Sequence, residues 1–205
     1  MISSEYSSLP VLVIIRHYKP FRVKPLFQSV FDAGYRTIEI TMNTPDATLL
    51  IEEADRVFGT HMSIGAGTVL TKKDVSMAMD AGAQFIVSPV FNKKVVEYCV
   101  KKNIPVIPGV ATPTEAYEAQ NCGASMVKLF PASHYGPSYI KQIKAPLDNL
   151  KILAVGGVNT ENVTDYLEAG ADAVAVGASI LKADYVDNEN YEAIKKGLEA
   201  FKDAI

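Results

Sequence analysis

Eight short apolar runs recur along the chain at an almost even interval, and this rhythm constrains the fold more than any other feature. They are "VLVII" from Val11, "TIEIT" from Thr37, "SIGAGT" from Ser63, "FIVSP" from Phe85, "PVIPGV" from Pro105, "MVKLFP" from Met126, "KILAVGG" from Lys151 and "AVAVG" from Ala173. Successive runs begin roughly 20 to 26 residues apart, room for one amphipathic helix and two short loops, so each run reads as the strand of a βα unit. The last stretch, "NYEAIKKGLEAFKDAI", carries a helical pattern.

The punctuation between runs fits that division. Thr44 in "TPDA", Thr71 in "TKKD", Thr112 in "TPTE" and Asn159 in "NTEN" are expected to open helices, because a hydroxyl or amide oxygen followed by Pro or an acid satisfies the first free N–H groups. Gly34, Gly82, Gly123 and Gly170 precede the second, fourth, sixth and eighth runs and are expected in the left-handed position that ends a helix. This twofold alternation is what a closed eight-stranded barrel produces, since odd and even strands fill its interior in alternate layers. We therefore expect an α/β fold, a TIM (β/α)8 barrel. A doubly wound open sheet is the alternative, disfavoured by eight units and no "GxGxxG". No linker or low-complexity tract interrupts the pattern, so residues 1–205 are expected to form a single domain.

Composition narrows the function classes. A net charge of −3 with 21% charged residues leaves no basic footprint, so no nucleic acid partner is expected. No apolar run approaches the ~20 residues of a membrane span, and "MISSEYSSLP" does not read as a secretory leader. Cys99 and Cys122 have no metal-like spacing, and a reducing cytoplasm is the expected location. His17, His61 and His134 have no paired spacing, so no metal and no cofactor is expected.

Barrel chemistry sits at the carboxyl ends of the strands. Period-2 alternation in "TIEIT" puts Thr37, Glu39 and Thr41 on the inner face, opposite Ile38 and Ile40. The same count in "MVKLFP" puts Met126, Lys128 and Phe130 together, so one acid and one amine share a confined interior. One reading is a buried ion pair that only holds the barrel together, yet such pairs seldom stabilise better than apolar residues of the same volume. The chemical reading makes Lys128 a poorly hydrated amine nucleophile that forms a Schiff base with a ketone, and Glu39 a proton shuttle within hydrogen-bond reach. Gly156, Gly157, Gly177 and Ser179 follow strands seven and eight, where barrels commonly cradle phosphate on backbone N–H groups. Arg16, ending strand one, is placed to balance its charge. Thr68 ends strand three, Ser88 and Pro89 end strand four, and Phe130 is placed to pack on a bound pyruvyl group.

These stretches, "IEIT", "GAGTV", "VSP", "PGVATPTE", "VKLFPAS" and "VGGV", in this order, resemble the 2-keto-3-deoxy-6-phosphogluconate (KDPG) and 4-hydroxy-2-oxoglutarate (KHG) aldolases from Val11 to the final helix. The resemblance implies a metal-free class I aldolase on a TIM barrel, usually a homotrimer, that cleaves a phosphorylated keto acid to pyruvate and glyceraldehyde 3-phosphate. It implies that Lys128 forms the Schiff base and Glu39 is the acid-base residue. It further implies that Thr68 binds near the pyruvate carboxylate, that Pro89 and Phe130 line the pyruvyl pocket, and that Gly156, Gly157 and Ser179 hold phosphate; Arg16 matches an arginine of some members. Two positions depart from the phosphogluconate pattern. Asn43 in "EITMNT" stands where many members have arginine, and Val155 in "AVGG" stands where "PTGG" supplies a threonine. With "YGPSYIK", these are similar to the branch acting on the C4 epimer, 2-keto-3-deoxy-6-phosphogalactonate. The rivals are a phosphate-binding barrel of another class, such as a sugar-phosphate epimerase or isomerase with Lys128 only an electrostatic contact, and a non-catalytic ligand-binding barrel.

Overall fold

The computed structural model describes residues 9–18 and 23–205; Met1–Ser8, read above as lacking a leader, lie outside the described residues. Among the described residues nine parallel strands form one sheet: β1 Val11–Ile15, β2 Thr37–Thr41, β3 Ser63–Gly67, β4 Phe85–Val87, β5 Val106–Ile107, β6 Gly109–Val110, β7 Val127–Leu129, β8 Ile152–Val155 and β9 Ala173–Val176. Their order is β5-β4-β3-β2-β1-β9-β8-β7-β6, so the two ends of the ladder are consecutive in sequence and separated only by Pro108. The sheet is a nearly closed barrel, not the open doubly wound alternative.

The fifth expected strand is thus two short ones. Proline has no N–H for the ladder, and the run breaks there into a half that pairs with β4 and a half that pairs with β7. Pro108 still contributes its carbonyl, which accepts from the Lys128 amide at 2.8 Å.

Ten helices among the described residues surround the strands: α1 Val23–Asp32, α2 Ala47–Phe58, α3 Lys72–Asp80, α4 Lys93–Lys101, α5 Pro113–Asn121, α6 Ala132–Tyr135, α7 Pro137–Lys144, α8 Val163–Glu168, α9 Ala183–Asp187 and α10 Tyr191–Asp203. Alternation along the strands sorts the apolar side chains into two separate cores. Val11, Val13, Ile38, Ile40, Val127 and Leu129 face the helices, whereas Leu12, Phe85, Val87, Ile107, Leu153, Val155, Ala173 and Ala175 fill the barrel, with Ile14 and Met126 against them.

Thr71 and Thr112 form the expected capping boxes, with Asp74 and Glu115 as their reciprocal acids. The four helix-ending glycines hold the expected left-handed backbone, φ running from 91° to 101°. Two expected caps are corrected. Helix α2 opens at Ala47 behind Asp46 without a side-chain cap, because the Thr44 hydroxyl is engaged elsewhere. Helix α8 opens at Val163 behind Asn162, while the Asn159 side chain closes the preceding turn by accepting from the Glu161 and Asn162 amides.

Candidate active site

Lys128 is the middle residue of β7, with Val127 and Leu129 buried on the helix side of the strand. Its own side chain therefore enters the barrel and is 2% exposed. Nζ lies 5.2 Å from the centre of the Phe130 ring, whose π face is an attractive surface for an ammonium. Phe130 sits just beyond the strand and is 37% exposed, so it forms rim rather than core.

Glu39, the middle of β2, is 0% exposed. Strand register places it between Ile14 and Gly65, inside the ring as alternation requires. Both carboxylate oxygens are buried, and among the described residues no protein group hydrogen-bonds to either of them. An unpartnered buried carboxylate costs several kcal/mol, so its partners belong to something that enters the site. This is not a hydrogen-bonded ion pair stabilising the barrel: the lone pairs are available. The glycines of "GAG" make the space. A Cβ on Gly67 would lie 1.7 Å from Glu39 Oε1, and one on Gly65 would lie 2.2 Å from the Phe85 ring.

A cavity of about 510 Å3 opens above Lys128. Arg16, Lys128, Phe130, Gly156, Gly157, Gly177 and Ser179 all line it, so seven of the expected site residues, drawn from strands far apart in sequence, meet around one space. Val155, Asp187 and His17 line it as well. Gly156 and Gly157 line it with φ of 95° and 79°, a backbone path open to glycine. Ser179 is refined by the structure: its hydroxyl donates to the Val158 carbonyl at 3.1 Å, so any anion contact falls to its amide.

Three expected residues stand outside that lining. Glu39 lies deeper in the barrel. Pro89 packs with its carbonyl over Gly109, where a Cβ would come within 2.2 Å. Thr68, directly after β3, holds φ 56°, a strained value for a β-branched residue of the kind that collects at functional sites. Asn43 is exposed in the turn after β2. His61 and His134 are exposed, and among the described residues no group of three His, Cys, Asp or Glu side chains is placed to hold a metal ion.

Sequence reasoning missed the braces around the cavity. Thr41 and Thr44 share a buried hydroxyl contact of 2.9 Å, and Thr44 Oγ1 also accepts from the His17 amide at 3.0 Å, tying the end of β1 to the end of β2. The Tyr18 hydroxyl donates to the Leu181 carbonyl, joining the same segment to the turn after β9. Burial pushes the Tyr18 phenol up to about 12, which keeps this donor protonated at any physiological pH.

The family described as KDPG and KHG aldolase matches residues 2–197. The chain belongs to that family. Among KDPG and KHG aldolase relatives, the 2-dehydro-3-deoxy-6-phosphogalactonate aldolase of Escherichia coli K12 is 33% identical over 200 residues, covering 97% of this chain and 98% of that protein. A probable 2-dehydro-3-deoxy-6-phosphogalactonate aldolase of Rhizobium meliloti is 40% identical over 174 residues, covering 84% and 82%. The crystal structure of KDPG aldolase from Legionella pneumophila, with pyruvate captured as a covalent carbinolamine intermediate, superposes with a TM-score of 0.90 at 29% identity and covers 97% of both chains. The family members matched here are named as aldolases, which are carbon–carbon lyases.

Proposed function

We propose that this KDPG/KHG-family enzyme is a class I aldolase that cleaves a 2-keto-3-deoxy-6-phospho sugar acid to pyruvate and glyceraldehyde 3-phosphate. The observation that carries the reading is a buried amine, Lys128, projecting into the same barrel interior as a carboxylate, Glu39, that has no hydrogen-bond partner among the described residues. In a structural pair the Lys128 ammonium would donate to those carboxylate oxygens.

In the reaction the neutral Lys128 amine attacks the C2 carbonyl, a carbinolamine forms, and loss of water gives an iminium. Glu39 serves as acid and base. It delivers the proton that lets water leave, then takes the C4 hydroxyl proton as the C3–C4 bond breaks. The bonding electrons move into the iminium, glyceraldehyde 3-phosphate departs, and the enamine left behind is protonated at C3. Water then hydrolyses the pyruvyl iminium and restores the amine.

Thr68, Pro89 and Phe130 are assigned to the pyruvyl end, and the backbone at Gly156, Gly157, Gly177 and Ser179, with the Arg16 charge, to the phosphate end. The apolar Val155 on the cavity wall favours the phosphogalactonate epimer, since no side-chain hydroxyl is offered there. We further read the enzyme as a cytoplasmic homotrimer with a phosphorylated keto acid as its small-molecule partner and no cofactor. Among the described residues no helix is long and apolar enough to cross a membrane.

Pyruvate release, followed with lactate dehydrogenase on both C4 epimers, tests the assignment. Cleavage of at least one epimer is expected, with the galactonate form preferred. Val155→Thr should shift the ratio of kcat/KM values toward the gluconate form by about 1 to 3 kcal/mol, roughly 5- to 150-fold, because one hydroxyl contact has that worth. Cleavage of neither epimer would end the proposal, and an unchanged ratio would end the role of Val155.

A further inference from the structure

His17 holds a left-handed backbone with φ 60°, a region that side-chain-bearing residues enter against steric cost. The turn is clamped from both sides, by Thr44 Oγ1 on the His17 amide and by Tyr18 on the Leu181 carbonyl. Across the same cavity the chain meets the same backbone requirement with Gly156 and Gly157. A turn that needed only its shape would carry glycine here too. His17 nevertheless lines the cavity together with Arg16, Gly156, Gly157 and Ser179, and among the described residues its ring makes no hydrogen bond. A side-chain-bearing residue held in the left-handed region between two clamps, on a cavity wall and with no hydrogen bond to its ring among the described residues, marks a side chain kept for a ligand.

We propose that His17 is a phosphate-binding residue, its ring N–H donating to the phosphate monoester of the substrate alongside Arg16. Lys128 and Phe130 occupy the pyruvyl end, so the group within reach of a ring at the Arg16 side of the cavity is the anionic tail. The inference rests on the aldolase reading above.

The test compares kcat/KM for 2-keto-3-deoxy-6-phosphogalactonate with that for unphosphorylated 2-keto-3-deoxygalactonate, in the wild type and in His17→Gly, His17→Leu and His17→Gln. The phosphorylated-to-unphosphorylated ratio should fall about tenfold in the Gly and Leu variants, the worth of one charge-assisted hydrogen bond. Glutamine keeps an N–H donor and should retain part of the discrimination. His17→Gly should melt no lower than the wild type, because glycine relieves the left-handed strain. Equal losses on both substrates, or an unchanged ratio in all three variants, overturn the role of His17 alone. A wild type indifferent to the phosphate overturns the phosphate assignment of the function as well.

Discussion

Lys128 and Glu39 differ from every other inward-facing strand residue in carrying charge, and alternation alone placed both. The glycine beneath the acid is just as informative. Because a Cβ on Gly67 would fall 1.7 Å from Glu39 Oε1, Gly67→Ala must displace the carboxylate without touching the amine. A displacement near 1 Å costs about 100-fold in rate, so steady-state kinetics should show kcat reduced by that order with KM less affected. A wild-type kcat in Gly67→Ala would show that the carboxylate has no fixed place in the reaction. These residues were legible because period-2 patterning is a local rule. His17 and Thr44 were not, since their roles depend on a left-handed φ and on a hydrogen bond between residues 27 apart, which no spacing pattern encodes.

At the scale of elements, the helix starts divide along the same line. Thr71 and Thr112 are readable as caps because each box closes within four residues, whereas the Thr44 hydroxyl is drawn from its capping role by the Thr41 hydroxyl and by the tertiary contact from the His17 amide. The Thr112 box also has a pH signature. Hydrogen bonds from the Ala111 amide first, and from Thr112, hold the Glu115 carboxyl below the usual carboxylate range. A carboxyl depressed by folding contributes stability that is complete at neutral pH and is lost as pH falls through its folded value. Urea unfolding of Glu115→Gln should therefore lose less stability than the wild type between about pH 5 and pH 2. Parallel pH profiles for the two proteins would contradict it. The split of the fifth strand followed from Pro108, whose missing N–H was visible in "PVIPGV" but was read as one continuous run.

At the scale of the whole molecule, barrel closure explains why residues of β1, β7, β8 and β9 and the segments that follow them meet at one cavity, with Ala183 and Asp187 of α9 added to its wall. The proposed homotrimer would need an apolar face to bury. Leu70, Met77 and Val90 are 44%, 42% and 49% exposed on the adjoining β3–α3 and β4–α4 units, and the Asn92 side chain donates to the Leu70 carbonyl across that junction. Light scattering should give three times the 22.2 kDa chain mass for the wild type and a smaller species for Val90→Glu. A monomeric wild type would contradict the trimer. The central claim is the covalent one: a single amine inside the barrel takes up the ketone carbon of pyruvate. Reduction with borohydride in the presence of pyruvate, followed by peptide mass mapping, should place one reduced pyruvyl adduct on Lys128 and none on Lys128→Arg. An adduct on another lysine, or no adduct in the wild type, would contradict it.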